Sequence, residues 1–366
     1  MAEEEKVGWG VIGACGIARR RTIPEGIVPA KNARLVAVMD VDREGARAVA
    51  EQFGGRVCDT VEAVVGDPAV RAVYVATPNH LHREHVLAAA RARKHVLCEK
   101  PLGLSRTEIE EMIAACRDAG VLLGVGFMMR FNVYHQKIRE LIRVGALGIP
   151  THARGQMTSW HPPGKGHWRH EPGKGGGGCV QDVASHIVDV MEMFFGRTRR
   201  VFCQCFRRVH DSPVEDTALL QVVFESGVPA MIDVGFAVPS KANEYVLEVY
   251  GSKGAIKCKY TLSQLPAGEA RAFFLEGPDD FTSQERARYE SGYATMVFEP
   301  RNTYRAEIEA FSEAILEGRP APVPGEDGLW NHCVIEAAYE SDRIGRPVDV
   351  ALSGDAGSAQ GARPLK

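Results

Sequence analysis

The sequence predicts an α/β chain: a Rossmann-like, doubly wound parallel sheet, followed by an α+β domain with a large open, mainly antiparallel sheet. Three observations carry that expectation. From Val7 to about Phe127, short apolar runs alternate with amphipathic segments, the pattern of buried parallel strands joined by crossover helices. Beyond it, short strand-like runs follow one another between turn signals, as in an antiparallel sheet. At 366 residues the chain is also long for one core and suits two domains.

In the first part, "VGWGVI", "RLVAVM", "AVYVAT", "HVLCE" and "VLLGVGF" are the expected strands, and 43–53, 80–93 and 105–119 carry helical periodicity. Ligands of such sheets sit beyond the carboxyl ends of the strands. After the first strand stands Gly13-Ala14-Cys15-Gly16-Ile17-Ala18. The dinucleotide fingerprint G-x-G-x-x-G/A is met at its first and third positions, with Cys15 where the second glycine belongs. The second strand ends at Asp40, placed to accept hydrogen bonds from the adenosine ribose and to repel a 2′-phosphate. NAD is therefore expected over NADP, although Arg43 is placed to pair with such a phosphate, and Asp40, Asp42 and Arg43 also suit a plain helix start.

In the second part, residues 199–209, 216–225, 228–237, 245–250 and 254–260 read as successive strands. The expected division is 1–128 for dinucleotide binding, 129–350 for substrate and oligomerisation, and 351–366, a small, polar, glycine-rich stretch, for a flexible tail.

Composition excludes several classes of function. With 45% hydrophobic and 25% charged residues and a net charge of −3, nothing favours nucleic acid or an anionic membrane as a partner. No run nears the ~18 apolar residues that span a bilayer, and the acidic N-terminus lacks a secretory signal. A cytoplasmic location is expected. Nine cysteines without CxxC pairs suggest neither a disulfide framework nor a structural zinc. Cys203 and Cys205, alternating along one strand, suit packing.

The stretch "GGGGCVQDVASHIVDVMEMFFG", residues 175–196, carries the most chemistry. On an α-helix Asp182 and His186 lie about 40° apart, and Asp189 falls within roughly 20° of Asp182 on the other side. Val183, Ile187, Val190, Met191 and Phe194 form a separate apolar stripe. Short Asp and His side chains suit a solvated helix face less well than Lys and Glu do.

Together with the glycine loop, "ATPNHLHREH", "CEKPLGLS", "GFMMRFN" and the D-x-x-x-H helix resemble the Gfo/Idh/MocA family of sugar and polyol oxidoreductases, from Val7 to about Val350. "LEVYGSKGAIKC" and the segment from Tyr304 onward extend the likeness. The resemblance implies that Lys100 reaches between nicotinamide and substrate, with Pro101 after a cis bond. It implies that Asp182 and His186 meet the reacting hydroxyl, and that Thr77, Pro78, Asn79, His82 and Glu99 line the nicotinamide and its ribose. It also implies a homodimer or homotetramer formed through the second domain's sheet.

Oxidising a secondary alcohol removes a hydroxyl proton while hydride leaves the same carbon. His186, with an ordinary pKa near ~6.5, is the expected base. Asp182 would orient it or bind a neighbouring hydroxyl, and Lys100 would stabilise alkoxide character. Residues 156–174, "QMTSWHPPGKGHWRHEPGK", lie where the family varies its substrate loop. Trp160, Trp168 and Arg169 suit a carbohydrate there, with Arg130 and Tyr245 as further substrate candidates. The histidines of this region lack carboxylate–histidine metal spacing, so no metal is expected. Two other activities of the family stay open. One is a redox-neutral enzyme that uses tightly held NAD transiently for glycoside cleavage or epimerisation. The other is a non-catalytic sugar-responsive regulator, against which Lys100, Asp182 and His186 together argue.

Overall fold

The protein is described from a computed structural model, which covers residues 5–164, 167–266, 268–277 and 292–352. Of the expected tail, 353–366 lies outside the described residues.

The first sheet has six strands, all parallel. They are β1 (Val7–Ile12), β2 (Ala33–Met39), β3 (Arg56–Cys58), β4 (Ala72–Val75), β5 (His95–Glu99) and β6 (Leu123–Gly126), in the order β3-β2-β1-β4-β5-β6. The order reverses between β1 and β4, which places a ligand crevice at their carboxyl ends. Strands β1 and β4 are buried throughout, which is why they read as unbroken apolar runs. Helices α1 (Arg43–Phe53), α2 (Val61–Val65), α3 (His82–Arg91) and α4 (Arg106–Ala119) cover the sheet. Sequence reading passed over β3 and α2. The first is three residues at a sheet edge and the second a single helical turn, both too short to show a period.

After α5 (Val133–Arg143) comes the second sheet, of nine strands. These are β7 (Pro150–Thr158), β8 (Thr198–Phe206), β9 (Thr217–Phe224), β10 (Pro229–Gly235), β11 (Leu247–Gly251), β12 (Gly254–Lys259), β13 (Glu269–Phe274), β14 (Ala294–Met296) and β15 (Val348–Asp349). Their order is β14-β13-β12-β11-β7-β10-β9-β8-β15. Every pairing is antiparallel except β7 with β10, so the sheet is mixed. Residues 156–158, expected at the start of the substrate loop, are the end of β7. Alternation sets the two faces. Ala218, Leu220, Val222 and Phe224 point into the core with Ala230, Ile232 and Val234, whereas Leu219 and Met231 point out and stay exposed.

Between the sheets runs the glycine-led segment. A short helix α6 (Pro172–Gly175) precedes it, Val180–Ala184 is wound as a π-helix, and α7 (Ser185–Phe195) continues as an α-helix. The apolar stripe packs as its spacing predicts: Val183, Ile187, Val190, Met191 and Phe194 are all buried in the second core. Of the two last helices, α8 (Thr303–Glu317) returns to the first sheet, whereas α9 (Gly325–Ile344) packs chiefly on β8, with Val334, Ile335 and Ala338 in the second core. Ile308, Phe311 and Ile315 share a core with Val7, Trp9 and Val11, and the Trp9 indole donates to Ser312 Oγ at 3.1 Å.

Candidate active site

The glycine loop begins where β1 ends. Gly13 has φ +87°, and a Cβ there would lie 2.7 Å from the backbone of Ala76 and Thr77, so only glycine lets the loop lie against β4. Ala14 is buried behind it, Ile17 packs partly against the second core, and Gly16 is exposed. A Cβ on Gly16 would meet nothing nearer than 3.9 Å. That clearance, at the head of the helical segment Ala18–Ile27, fits a pyrophosphate approached by backbone N–H groups.

Cys15 is used by its backbone as well as its side chain. Its N–H donates to Asp40 Oδ2 at 2.8 Å, while Asp42 N–H donates to Oδ1 at 3.0 Å. The Asp40 carboxylate therefore holds the loop from just beyond the end of β2. The Cys15 thiol donates to the Asp42 carbonyl at 3.7 Å. Burial and the neighbouring Asp40 push its pKa up to about 12, so it stays a packed thiol, not a nucleophile. Arg43 faces Asp59 at 3.5 Å, both largely exposed, a pairing of little energetic weight.

At the ends of β4 and β5, one histidine joins two loops. The His82 ring lies between the carbonyls of Thr77 and Pro101, each at 2.9 Å. Its burial pulls its pKa down to about 4, so the neutral ring donates to one of them. Thr77 Oγ1 contacts His85 Nδ1 at 3.1 Å. Pro78 leads into the 3₁₀ turn Asn79–Leu81, and Asn79 Nδ2 donates to the Gly175 carbonyl at 2.9 Å, tying this loop to α6. The Lys100–Pro101 bond is cis. Glu99 accepts from the Tyr74 hydroxyl, which in turn accepts from Thr22 at 2.9 Å; burial raises the Glu99 pKa.

Lys100 reaches across to the π-helical turn. Its Nζ donates to the Asp182 carbonyl at 2.7 Å and to Asp182 Oδ1 at 2.8 Å, and Arg169 Nε stands 3.4 Å from Oδ2. Burial alone would raise the Asp182 pKa, but Lys100 and Arg169 outweigh it and hold the carboxyl well below its ordinary range. His186, buried and edge-on to Phe127 at 6.3 Å, is kept neutral by burial and by the Lys100 charge, against the pull of Asp182. Its Nδ1 has no hydrogen-bond partner among the described residues. The structure thus brings Glu99, Lys100, Asp182, His186 and Arg169 to one place.

Asp189 goes elsewhere. It is 1% exposed and receives Arg130, whose Nε lies 2.9 and 3.0 Å from its two oxygens and whose Nη2 lies 2.6 Å away. The other terminal nitrogen of Arg130 donates to Asp327 at 2.7 Å. Arg130 is therefore held between two carboxylates. A hollow of about 410 Å³ beside it, reaching Glu192 and Val323, contains none of the groups gathered around Lys100. Of the remaining substrate candidates, Trp168 lies under the Arg169 guanidinium at 4.2 Å. Trp160 is 45% exposed and edge-on to His210, and Tyr245 has φ +47° and packs partly against the second core.

Sequence reading missed the groups that seat the π-helical turn. Glu215 Oε1 accepts from Gly178 N–H at 3.1 Å, from Val180 N–H at 2.9 Å and from the Tyr339 hydroxyl at 2.9 Å. A Cβ on Gly177 would lie 2.0 Å from the Tyr339 oxygen, and one on Gly178 2.1 Å from the Glu215 carbonyl oxygen. The glycine run is what lets Glu215 and Tyr339 close on the helix start. Only the acidic pair before β9 hints at this, and a pair of acids at a strand start has no specific reading. No three His, Cys, Asp or Glu side chains group as a metal site among the described residues, and no helix among them is long and apolar enough to cross a membrane.

A parallel Rossmann sheet with an open glycine loop, beside a lysine, a histidine and an ion-paired aspartate, defines a dinucleotide-dependent oxidoreductase class. Residues 7–127 match the model of the "Oxidoreductase family, NAD-binding Rossmann fold", and 135–257 match the GFO/IDH/MocA C-terminal domain. The chain belongs to the Gfo/Idh/MocA family of oxidoreductases. It is 34% identical over 346 residues to a 1,5-anhydro-D-fructose reductase of Ensifer adhaerens, covering 93% of this chain and 98% of the relative. It is 30% identical to an NADP(+)-dependent D-xylose 1-dehydrogenase of Haloferax volcanii, covering 93% and 99%. Among solved structures it resembles the aldose-aldose oxidoreductase of Caulobacter crescentus in complex with glycerol, with TM-score 0.83, 30% identity and coverage of 94% and 100%.

Proposed function

We propose that the protein is an NAD-dependent oxidoreductase acting on a secondary hydroxyl of a sugar, inositol or related polyol. The observation that carries this reading is the meeting of Lys100, Asp182 and His186 beside the open end of the first sheet. The bound dinucleotide supplies the hydride acceptor or donor at its nicotinamide. Gly13, Ala14, Cys15, Gly16 and Ile17 would hold its phosphates, with Asp40 at the adenosine ribose and Thr77, Pro78, Asn79 and Glu99 toward the nicotinamide.

His186 takes the hydroxyl proton; burial and Lys100 keep it neutral and ready to do so. The Lys100 ammonium has three N–H groups, and Asp182 orients it with its carbonyl and carboxylate as acceptors. A further N–H serves the substrate oxygen and stabilises negative charge there as the proton leaves. Trp160, Trp168 and Arg169 form the carbohydrate wall. The likeness to an aldose-aldose oxidoreductase supports a second reading, a redox-neutral enzyme in which tightly held NAD is reduced and reoxidised within the same site, as in epimerisation or glycoside cleavage, with no net consumption of cofactor. A panel of aldoses, inositols and glycosides with NAD and with NADP, followed by nicotinamide absorbance and by product analysis, tests both. Products without nicotinamide reduction favour the second, and no products at all would overturn both.

The open face of the second sheet, with Phe206, Leu219 and Met231 exposed at 39%, 51% and 63%, supports assembly into a homo-oligomer through that face.

A further inference from the structure

Next to Asp182 lies a cavity of about 280 Å³ lined by His161, His167, Trp168 and Arg169. Behind it stands His170, 6% exposed, whose ring centre is 6.4 Å from those of His161, His167 and His210. His170 Nδ1 is bonded to Ser212 Oγ at 3.0 Å, and its buried Nε2 has no partner in full hydrogen-bond geometry among the described residues, the His161 backbone being the group that approaches the ring. The same holds for Arg169 Nε, which approaches Asp182 only to 3.4 Å, without hydrogen-bond geometry. Buried polar nitrogens of this kind are rarely left unpaired.

We propose that this cavity is an anion subsite that receives the carboxylate of a sugar acid, while the carbon that reacts sits at His186 and Lys100. The position of the reacting carbon rests on the dehydrogenase reading; the carboxylate subsite rests on the cavity itself. A planar carboxylate matches the fork of Arg169, whose central carbon lies over the Trp168 ring at 4.2 Å. The Arg169 guanidinium offers donors only, and the carboxylate nearest the wall, Asp182, is turned to Lys100 at 2.8 Å and lies 3.4 Å from Arg169.

The charges around the imidazoles agree. His161 faces Asp182, Arg169, His170 and His167, and His170 faces His210, His167 and Arg169. Burial first, and then these positive neighbours, hold both rings below the usual histidine range, opposed by Asp182 at His161 and by the His161 backbone at His170. A bound carboxylate reverses the second effect, so binding takes up a proton. Among the described residues these histidines do not group as a metal site.

The test is calorimetric titration of the NADH-loaded protein with D-glucuronate, D-glucose and D-glucose 6-phosphate at pH 6 and pH 8. Glucuronate is expected to bind at least tenfold more tightly than glucose at pH 6, with that advantage falling threefold or more by pH 8. Arg169→Gln and, separately, the exposed His167→Gln should shrink it. Equal affinity for glucose and glucuronate, an advantage unchanged in both variants, or tighter binding of the 6-phosphate would overturn the carboxylate assignment. The readout is independent of turnover. Glucuronate preference without any sugar oxidation leaves the subsite standing and removes the dehydrogenase reading, whereas oxidation of neutral sugars without that preference does the reverse.

Discussion

Lys100 and Asp182, 82 residues apart, are joined twice, by the lysine's donation to the aspartate's carbonyl and to its carboxylate. The Rossmann strand end and the π-helical turn are thereby held in one register. Replacing Lys100 by Met removes both the tie and the donor to the substrate oxygen. Turnover should fall by roughly 10²–10³, the range for losing one such donor, while fluorescence titration finds NADH still bound. Undiminished turnover in Lys100→Met would remove this residue from the mechanism.

His186→Asn should lower turnover by about 10²–10⁴, as expected for a general base. The sign of its pH dependence follows from its surroundings. Burial and Lys100 depress the pKa, and the base acts when unprotonated. The rate of oxidation should therefore be level through neutral pH and fall only well below the ordinary ~6.5. Rate measurements from pH 4.5 to 9 check this, and the acid-side step should disappear in the variant.

Asp40 should hold NAD at least tenfold more tightly than NADP. Because it also anchors Cys15 and Asp42, Asp40→Ser should weaken NAD while narrowing the gap between the two cofactors. The ratio of the two dissociation constants is the quantity to compare, and a ratio near one in the native protein would contradict the assignment.

Glu307 is 2% exposed and neither carboxylate oxygen has a partner among the described residues. Burial, then Glu99 and Asp189, raise its pKa well above the ordinary value. A carboxyl whose folded pKa is raised costs nothing below its unfolded pKa near ~4.3 and destabilises progressively as pH rises above it. Glu307→Met should therefore stabilise the protein at pH 8 by about 1–3 kcal/mol, with the gain shrinking toward pH 4. Urea unfolding at the two pH values measures it.

Met231→Glu places a charge in the centre of the open sheet face without touching the inner core. If that face joins subunits, light scattering should show the native oligomer dissociating toward smaller species at micromolar concentration. An unchanged mass would point to a different interface.

Much of this was legible in the residues. The buried strands β1, β4 and β5 announced themselves as apolar runs, and the stripe from Val183 to Phe194 as a helical period. Asp182 and His186 stood out as short polar groups where long ones are usual. The different fate of Asp189 was not legible. Helical spacing places it beside Asp182, but the local π winding and a partner 59 residues earlier, Arg130, decide where it points. Glu215 and Tyr339 were equally hidden, because their work is done through the backbone of glycines, which leaves no complementary side chain to read.

The chain's last helices have a consequence for its birth. Ile308, Phe311 and Ile315 complete the core under β1, and the Val323 carbonyl accepts from Val125 N–H on β6 at 3.0 Å. A ribosome that has made only the nucleotide-binding third has therefore made a sheet with one flank only part covered, by Ile23, Ile27 and Val49, and with the share of Trp9 and Val11 that α8 will cover still facing water. The nascent chain must wait, or be shielded, until some two hundred further residues have emerged. A gene cut after residue 128 should yield an aggregating fragment, and co-expression of the missing remainder should be what makes it soluble.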